Sequence, residues 1–117
     1  MDDVYDQLSP QLRERIDRCR AEIVDLDLVL RGTVAPYYTT CGKKGCRCQA
    51  NPPILHGPYY QWTSKVDGKT KTIRLRKDDV ELFKQLVAKG RRLDRIVAEW
   101  LQLSIEAAQE IREISRR

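Results

Sequence analysis

Histidine is nearly absent from this chain of 117 residues; His56 is the only one. Acid is nearly absent from its middle. Between residues 31 and 77 the single carboxylate, Asp67, stands against ten lysines and arginines. One histidine and no acid pair in that stretch leave little for general acid–base catalysis. There is no phosphate-cradling glycine loop, and no C-x-x-C in a βαβ context, which removes the P-loop and thioredoxin-like readings. No N-terminal apolar run and no stretch of eighteen apolar residues occur, which argues against a secretory signal or a membrane span. The expectation is a cytoplasmic protein that is not an enzyme, whose thiols stay reduced and favour metal over disulfides. Internal repeats and low-complexity segments are also missing.

What is present is concentrated. Three of the four cysteines and the sole histidine lie within sixteen residues, as C-x4-C-x-C-x7-H. Cys41, Cys46, Cys48 and His56 offer three thiolates and one imidazole, a full tetrahedral set for a structural zinc with no position left for catalysis. Gly42 and Gly45 flank Lys43 and Lys44, so the backbone can wrap tightly. Lys43, Lys44 and Arg47 put positive charge beside the thiols and favour the thiolate. The competing readings are three reduced thiols in a turn, a redox pair, or iron in place of zinc. Cys19 is separate. It falls at a core-facing position of a helical pattern and reads as a small buried hydrophobe.

The net charge of +5 is unevenly spread. Residues 1–30 carry eight acids and four bases, and residues 78–117 carry eight of each. The whole excess therefore sits in the cysteine segment, and solubility alone does not require one sign there.

Three regions follow in order: an N-terminal amphipathic helix (1–32), a zinc knuckle with a β-hairpin (33–77) and a long C-terminal helix (78–117), forming one compact α+β unit. Ser9 as N-cap and Pro10 at the first position start a helix over 9–31. Leu12, Ile16, Cys19, Ile23, Leu26 and Leu30 form its heptad seam, and Gly32 reads as its C′ residue. Residues 33–40 read as a short extended segment that Pro36 confines to a sheet edge. Asp67-Gly68 is a type I′ turn signal. It pairs Val66 with Lys69, Ser64 with Lys71, Trp62 with Ile73 and Tyr60 with Leu75 in a hairpin over 58–76. A hairpin is marginal alone, so the knuckle, the 33–40 segment as a third strand and a helix complete it. Residues 79–115 read as one long helix or two in series. Asp78 and Glu81 resemble a capping box, and Gly90 and Ser104 are the weak points. The predicted seam is Phe83, Leu86, Gly90, Leu93, Val97, Trp100, Ser104, Ala107, Ile111 and Ile114. The two helices pack as an antiparallel or oligomeric coiled coil, with a homo-oligomer through 9–31 and 79–115 expected.

The run C-G-K-K-G-C-R-C-Q, then H-G-P-Y-Y-Q-W, then V-D-G-K-T-K-T-I-R-L resembles an uncharacterised prokaryotic family of short proteins with a C-G-x-x-G-C-x-C core followed by H-G-P-Y. The resemblance covers about residues 31–100 and implies an association with mobile elements. It carries no mechanism.

Two functions compete. In the first, a zinc-stabilised protein binds DNA, or less readily RNA, through Lys43, Lys44, Arg47, Lys65, Lys69, Lys71, Arg74, Arg76 and Lys77, as an accessory factor of a mobile element. A two-stranded ribbon can enter a major groove, and tyrosines can stack on unpaired bases. In the second, the zinc unit and helices form a protein–protein scaffold, and the basic strand is ordinary edge protection. Ion pairs from Lys65, Lys71, Arg74 and Arg76 to acids such as Asp17, Asp25 or Asp27 would consume the patch and favour the second.

Overall fold

A computed structural model describes residues 3–116 of the chain, for Asp3 the backbone only. The elements run α1 (Asp3–Asp6), α2 (Pro10–Val24), β1 (Thr33–Thr39), β2 (His56–Val66), β3 (Lys69–Leu75) and α3 (Val80–Ser115). Short 3₁₀ turns lie at Arg47–Gln49 and Lys77–Asp79. The architecture is α+β, with a three-stranded antiparallel sheet in the order β1-β2-β3. No helix among the described residues is long and apolar enough to cross a membrane. The chain divides into two compact units, one of residues 1–29 with 89–117, the other of residues 30–88.

The first unit is helical. Ser9 caps α2, its hydroxyl accepting from the Leu12 N–H at 3.4 Å. Leu12, Ile16 and Cys19 are buried as the heptad spacing predicts, and they meet Ile96, Leu103 and Ala107 of α3. Leu8 joins this core and Tyr5 packs against it, both from the N-terminal segment that the helical periodicity had not claimed. Polar contacts fix an antiparallel register. The Ser9 N–H and hydroxyl donate to the Glu110 carboxylate at 2.8 and 2.9 Å, and Lys89 pairs with Asp27 at 2.9 Å.

The α2 helix stops at Val24, seven residues short of the expected end. Its last turn holds no base and Asp25 follows it, the wrong charge for a helix C-terminus. Ile23 and Leu26 still pack against the core, so the 3/4 spacing outlasts the helix. Gly32 consequently does not cap α2. It has φ +117°, and a Cβ there would stand 2.3 Å from the Thr63 carbonyl oxygen. Its job is to let the chain enter the sheet against β2. Gly32→Ala is expected to destabilise the 30–88 unit by about 2–3 kcal/mol. Denaturant unfolding followed at Trp62 reads this out, and an unchanged midpoint would mean the chain enters the sheet another way.

The α3 helix is continuous through both weak points. Gly90 is buried within it, and the Ser104 hydroxyl bonds back to the Trp100 carbonyl at 2.9 Å, satisfying itself without breaking the helix. Its start differs slightly: Asp79 bonds Arg76 in the preceding 3₁₀ turn, and the helix proper begins at Val80. The predicted seam is also out of phase by one residue over its middle. Ile96 and Leu103 are buried, whereas Val97 and Ser104 are exposed.

In the second unit the hairpin register is the predicted one, from Tyr60↔Leu75 to Val66↔Lys69. Asp67 and Gly68 both adopt positive φ, at 52° and 77°, as a type I′ turn demands. The β1 strand lies along the other edge of β2, from Thr33↔Thr63 to Thr39↔His56, with Pro36 on the edge strand. Trp62 is buried and its indole N–H donates to the Arg31 carbonyl at 2.9 Å. Val87 is the buried apolar residue that the first turns of α3 supply to this unit.

Candidate metal centre

The knuckle joins β1 to β2. Gly42 and Gly45 both take positive φ, at 77° and 80°, where the sequence asks for a tight wrap. The Cys46 N–H bonds to the Lys43 carbonyl at 3.3 Å, and the Gln49 N–H to the Cys46 carbonyl at 2.9 Å. The Ile54 N–H closes back on the Arg47 carbonyl at 3.0 Å, which delivers His56 to the start of β2 beside the cysteines.

The four side chains converge. Their ligand atoms all lie within 4.8 Å of one another. The sulfurs of Cys41 and Cys48 are 3.6 Å apart, and Cys46 Sγ is 3.2 Å from His56 Nε2. Two sulfurs held 2.3 Å from one ion at tetrahedral angles would be about 3.8 Å apart, and a sulfur and an imidazole nitrogen about 3.6 Å. The separations are thus those of ligands around a common centre, and the residues fit a metal ion. Cys48 is buried, His56 and Cys46 are half-buried and Cys41 is exposed.

Hydrogen bonds prepare the donors. The Cys41 N–H donates to Cys48 Sγ at 3.4 Å, and the Gln49 amide to the same sulfur at 3.7 Å. The Cys48 thiol is pulled down to about 6, first by that Cys41 N–H and against the effect of burial. That shift favours the thiolate, the form that binds metal. The main cause is therefore a backbone dipole, where the sequence pointed to Lys43, Lys44 and Arg47. A backbone bond from Lys43 lowers the Cys41 thiol, but burial and its bonds with Cys46 and Cys48 outweigh it and leave it raised. Cys19 is buried in the helical core, 2% exposed, as its periodicity predicts.

All nine bases singled out in the sequence fall in the 30–88 unit and all are exposed. Arg76 pairs with Asp79 at 3.3 Å. Among the described residues, Lys43, Lys44, Arg47, Lys65, Lys69, Lys71, Arg74 and Lys77 enter no ion pair. Asp17 bonds Tyr5 and Arg20, and Asp27 bonds Lys89. The residues are not all on one face. Lys65 and Arg74 share a face with Gln61, Thr63, Thr70 and Thr72; Lys69 and Lys71 project from the other, alternating along the strands. Beyond the Thr33↔Thr63 pair, β2 and β3 continue without β1 as a bare two-stranded ribbon from Ser64↔Lys71 to the turn.

A family model described as a domain of unknown function, DUF6788, matches residues 5–85. The chain belongs to this family. The match to DUF6788 begins within α1, takes in α2, the sheet and the knuckle, and ends within the first turns of α3. Neither a curated protein nor a solved structure matches the chain. Sequence reasoning missed one feature of the site region. Tyr37 and Tyr59 pair across β1 and β2, ring centroids 5.7 Å apart, and only the strand register reveals it.

Proposed function

We propose that this DUF6788 protein is a zinc-stabilised nucleic-acid-binding protein, DNA before RNA, that works without catalysing a reaction. Cys41, Cys46, Cys48 and His56 would hold the zinc, since soft thiolates with an imidazole suit that ion. The metal would fix the knuckle to the strands, and the four protein donors would fill its coordination shell. The observation that carries the reading is the free basic ribbon. Of eight exposed bases without an ion-pair partner, among the described residues, Lys65, Lys69 and Lys71 flank a hairpin tip that continues past the neighbouring strand, and the other five lie towards the base of the hairpin and in the knuckle. Such a ribbon fits a major groove, and lysines on both of its faces would meet the phosphates of the two walls. Lys43, Lys44 and Arg47 would clamp the backbone from the knuckle. Service to a mobile element rests on the family resemblance alone.

Lys65→Ala and Lys71→Ala, one on each face, test the geometry. Each is expected to weaken binding to unrelated duplexes alike and to flatten the slope of log K against log salt by about 0.9. Fluorescence anisotropy across a salt series measures it. Slopes unchanged in both variants would remove the ribbon from the binding surface.

The scaffold reading is favoured by a different observation. Val97, Leu101 and Ile105 repeat every fourth residue along α3 and are 38, 63 and 55% exposed. That stripe would serve a homo-oligomer or a helical partner, and it is compatible with a basic surface elsewhere on the chain.

A further inference from the structure

Beside the metal centre the sheet holds a pocket of about 380 Å³, bordered by Tyr37, Tyr59, Thr39, Thr40 and Arg74. Its volume lies at the low end of small-ligand sites, which run from about 300 to 1,000 Å³. That admits one nucleotide and excludes a duplex. The walls differ in chemistry. The tyrosine pair borders the pocket, its rings inclined at 41° and Tyr59 47% exposed, which leaves aromatic surface for a ligand. Arg74 borders it too, on the same sheet face through its pairing with Gln61, and its guanidinium has no ion pair among the described residues. Thr39 and Thr40 add polar groups to the lining. Cys41 and His56 border the pocket as well, so an ion in the knuckle would firm its floor.

An aromatic face alone would accept many apolar groups, and a guanidinium alone would accept any anion. Together in one pocket they match a planar base joined to a phosphate. The sheet also leads into the pocket. Tyr59, Gln61, Thr63 and Lys65 follow one another on one face of β2, so a strand tracked along Lys65 arrives at Tyr59. We propose that this pocket accepts a single unpaired nucleotide, its base stacked on Tyr59 and its phosphate held by Arg74. The proposal rests on the nucleic-acid reading and narrows it: the protein selects nucleic acid with an extruded or unpaired base, because bases within a duplex are stacked on one another and cannot reach Tyr59.

The test uses the zinc-loaded full chain and two labelled DNA duplexes of equal length at one salt concentration, one perfectly paired and one with a single bulged thymidine. The bulged duplex is expected to bind about tenfold tighter. Tyr59→Leu, which keeps bulk against Tyr37 but has no aromatic face, should erase the preference and leave the paired duplex bound as before. Tyr59→Phe should retain it. Equal affinity of the wild-type protein for both duplexes overturns the pocket assignment and leaves the ribbon standing. A preference that survives Tyr59→Leu overturns it too. Binding to neither duplex overturns both readings together.

Discussion

Cys46→Ser is expected to unfold residues 33–76 and to leave most of the helical signal in place. The sheet has little else to hold it. Among the described residues, the 30–88 unit buries only Trp62, Val87 and Cys48 as apolar side chains, and Cys48 is itself a metal ligand candidate. A structural zinc in finger-like peptides supplies about 10–16 kcal/mol of apparent binding energy at neutral pH, all of it folding energy where the metal-free segment is unstructured. Serine at position 46 removes one of four donors and the Cys46–His56 contact of 3.2 Å. The helices stand on a separate core of Leu8, Leu12, Ile16, Cys19, Ile96, Leu103 and Ala107, none of which touches the knuckle in sequence or in that cluster. Amide hydrogen exchange resolved by residue distinguishes the two. Protection should vanish over β1, β2 and β3 and persist in α2 and the second half of α3, and chelation of the wild-type protein should produce the same map. Loss of the metal with strand protection intact would show that the sheet folds without it.

Leu103→Ala should cost the helical unit about 3–5 kcal/mol, because Leu103 is 0% exposed and its removal opens a cavity at the centre of the α2–α3 contact. Val97→Ala and Ser104→Ala should each cost less than about 1 kcal/mol, as their side chains face outward. Urea denaturation followed by helical circular dichroism measures all three. Equal costs at 97 and 103 would mean that α3 buries the heptad stripe its sequence suggests, and that the observed phase is wrong.

That phase error shows where sequence stops being informative. The α3 helix has apolar residues at both 96 and 97, and the 3/4 spacing can be drawn through either. Choosing Val97 carried the seam on to Ser104, one position away from Leu103, the most deeply buried residue of the helix. Only the partner helix breaks the tie. The end of α2 escaped for a related reason. Leu26 and Leu30 continue the spacing while the backbone has already left the helix at Val24, so apolar rhythm and hydrogen bonding part company. By contrast the hairpin was fully legible, since Asp67-Gly68 leaves one turn type and a two-residue turn leaves one register. The four metal-ligand candidates were legible because few other arrangements explain three cysteines and the sole histidine within so short a segment. The Tyr37–Tyr59 pair was not. Its residues are separated by the whole knuckle, and the alignment of β1 on β2 depends on how that loop closes. Gly32 was visible as a glycine with a role but assigned to the wrong element, because a C′ position and a close strand approach both call for the same residue.

The basic segment gains physical definition from the unit boundaries. Residues 30–88 carry eleven bases against four acids, while the remainder carries eleven against thirteen. A field of one sign on one compact unit steers polyanions towards it and strengthens as salt falls. Arg76 is the single base of the nine whose charge is already answered, by Asp79, and it should contribute least to any binding.

The most direct measurement is the affinity of zinc-loaded protein for a labelled DNA duplex across a series of salt concentrations, with chelated protein alongside. A zinc-ordered basic surface gives binding that falls linearly in log K against log salt, by about 0.9 per phosphate neutralised, and that weakens sharply on chelation. Absence of binding at low salt would contradict it and turn attention to the exposed Val97, Leu101 and Ile105 stripe of α3 as the surface the protein uses.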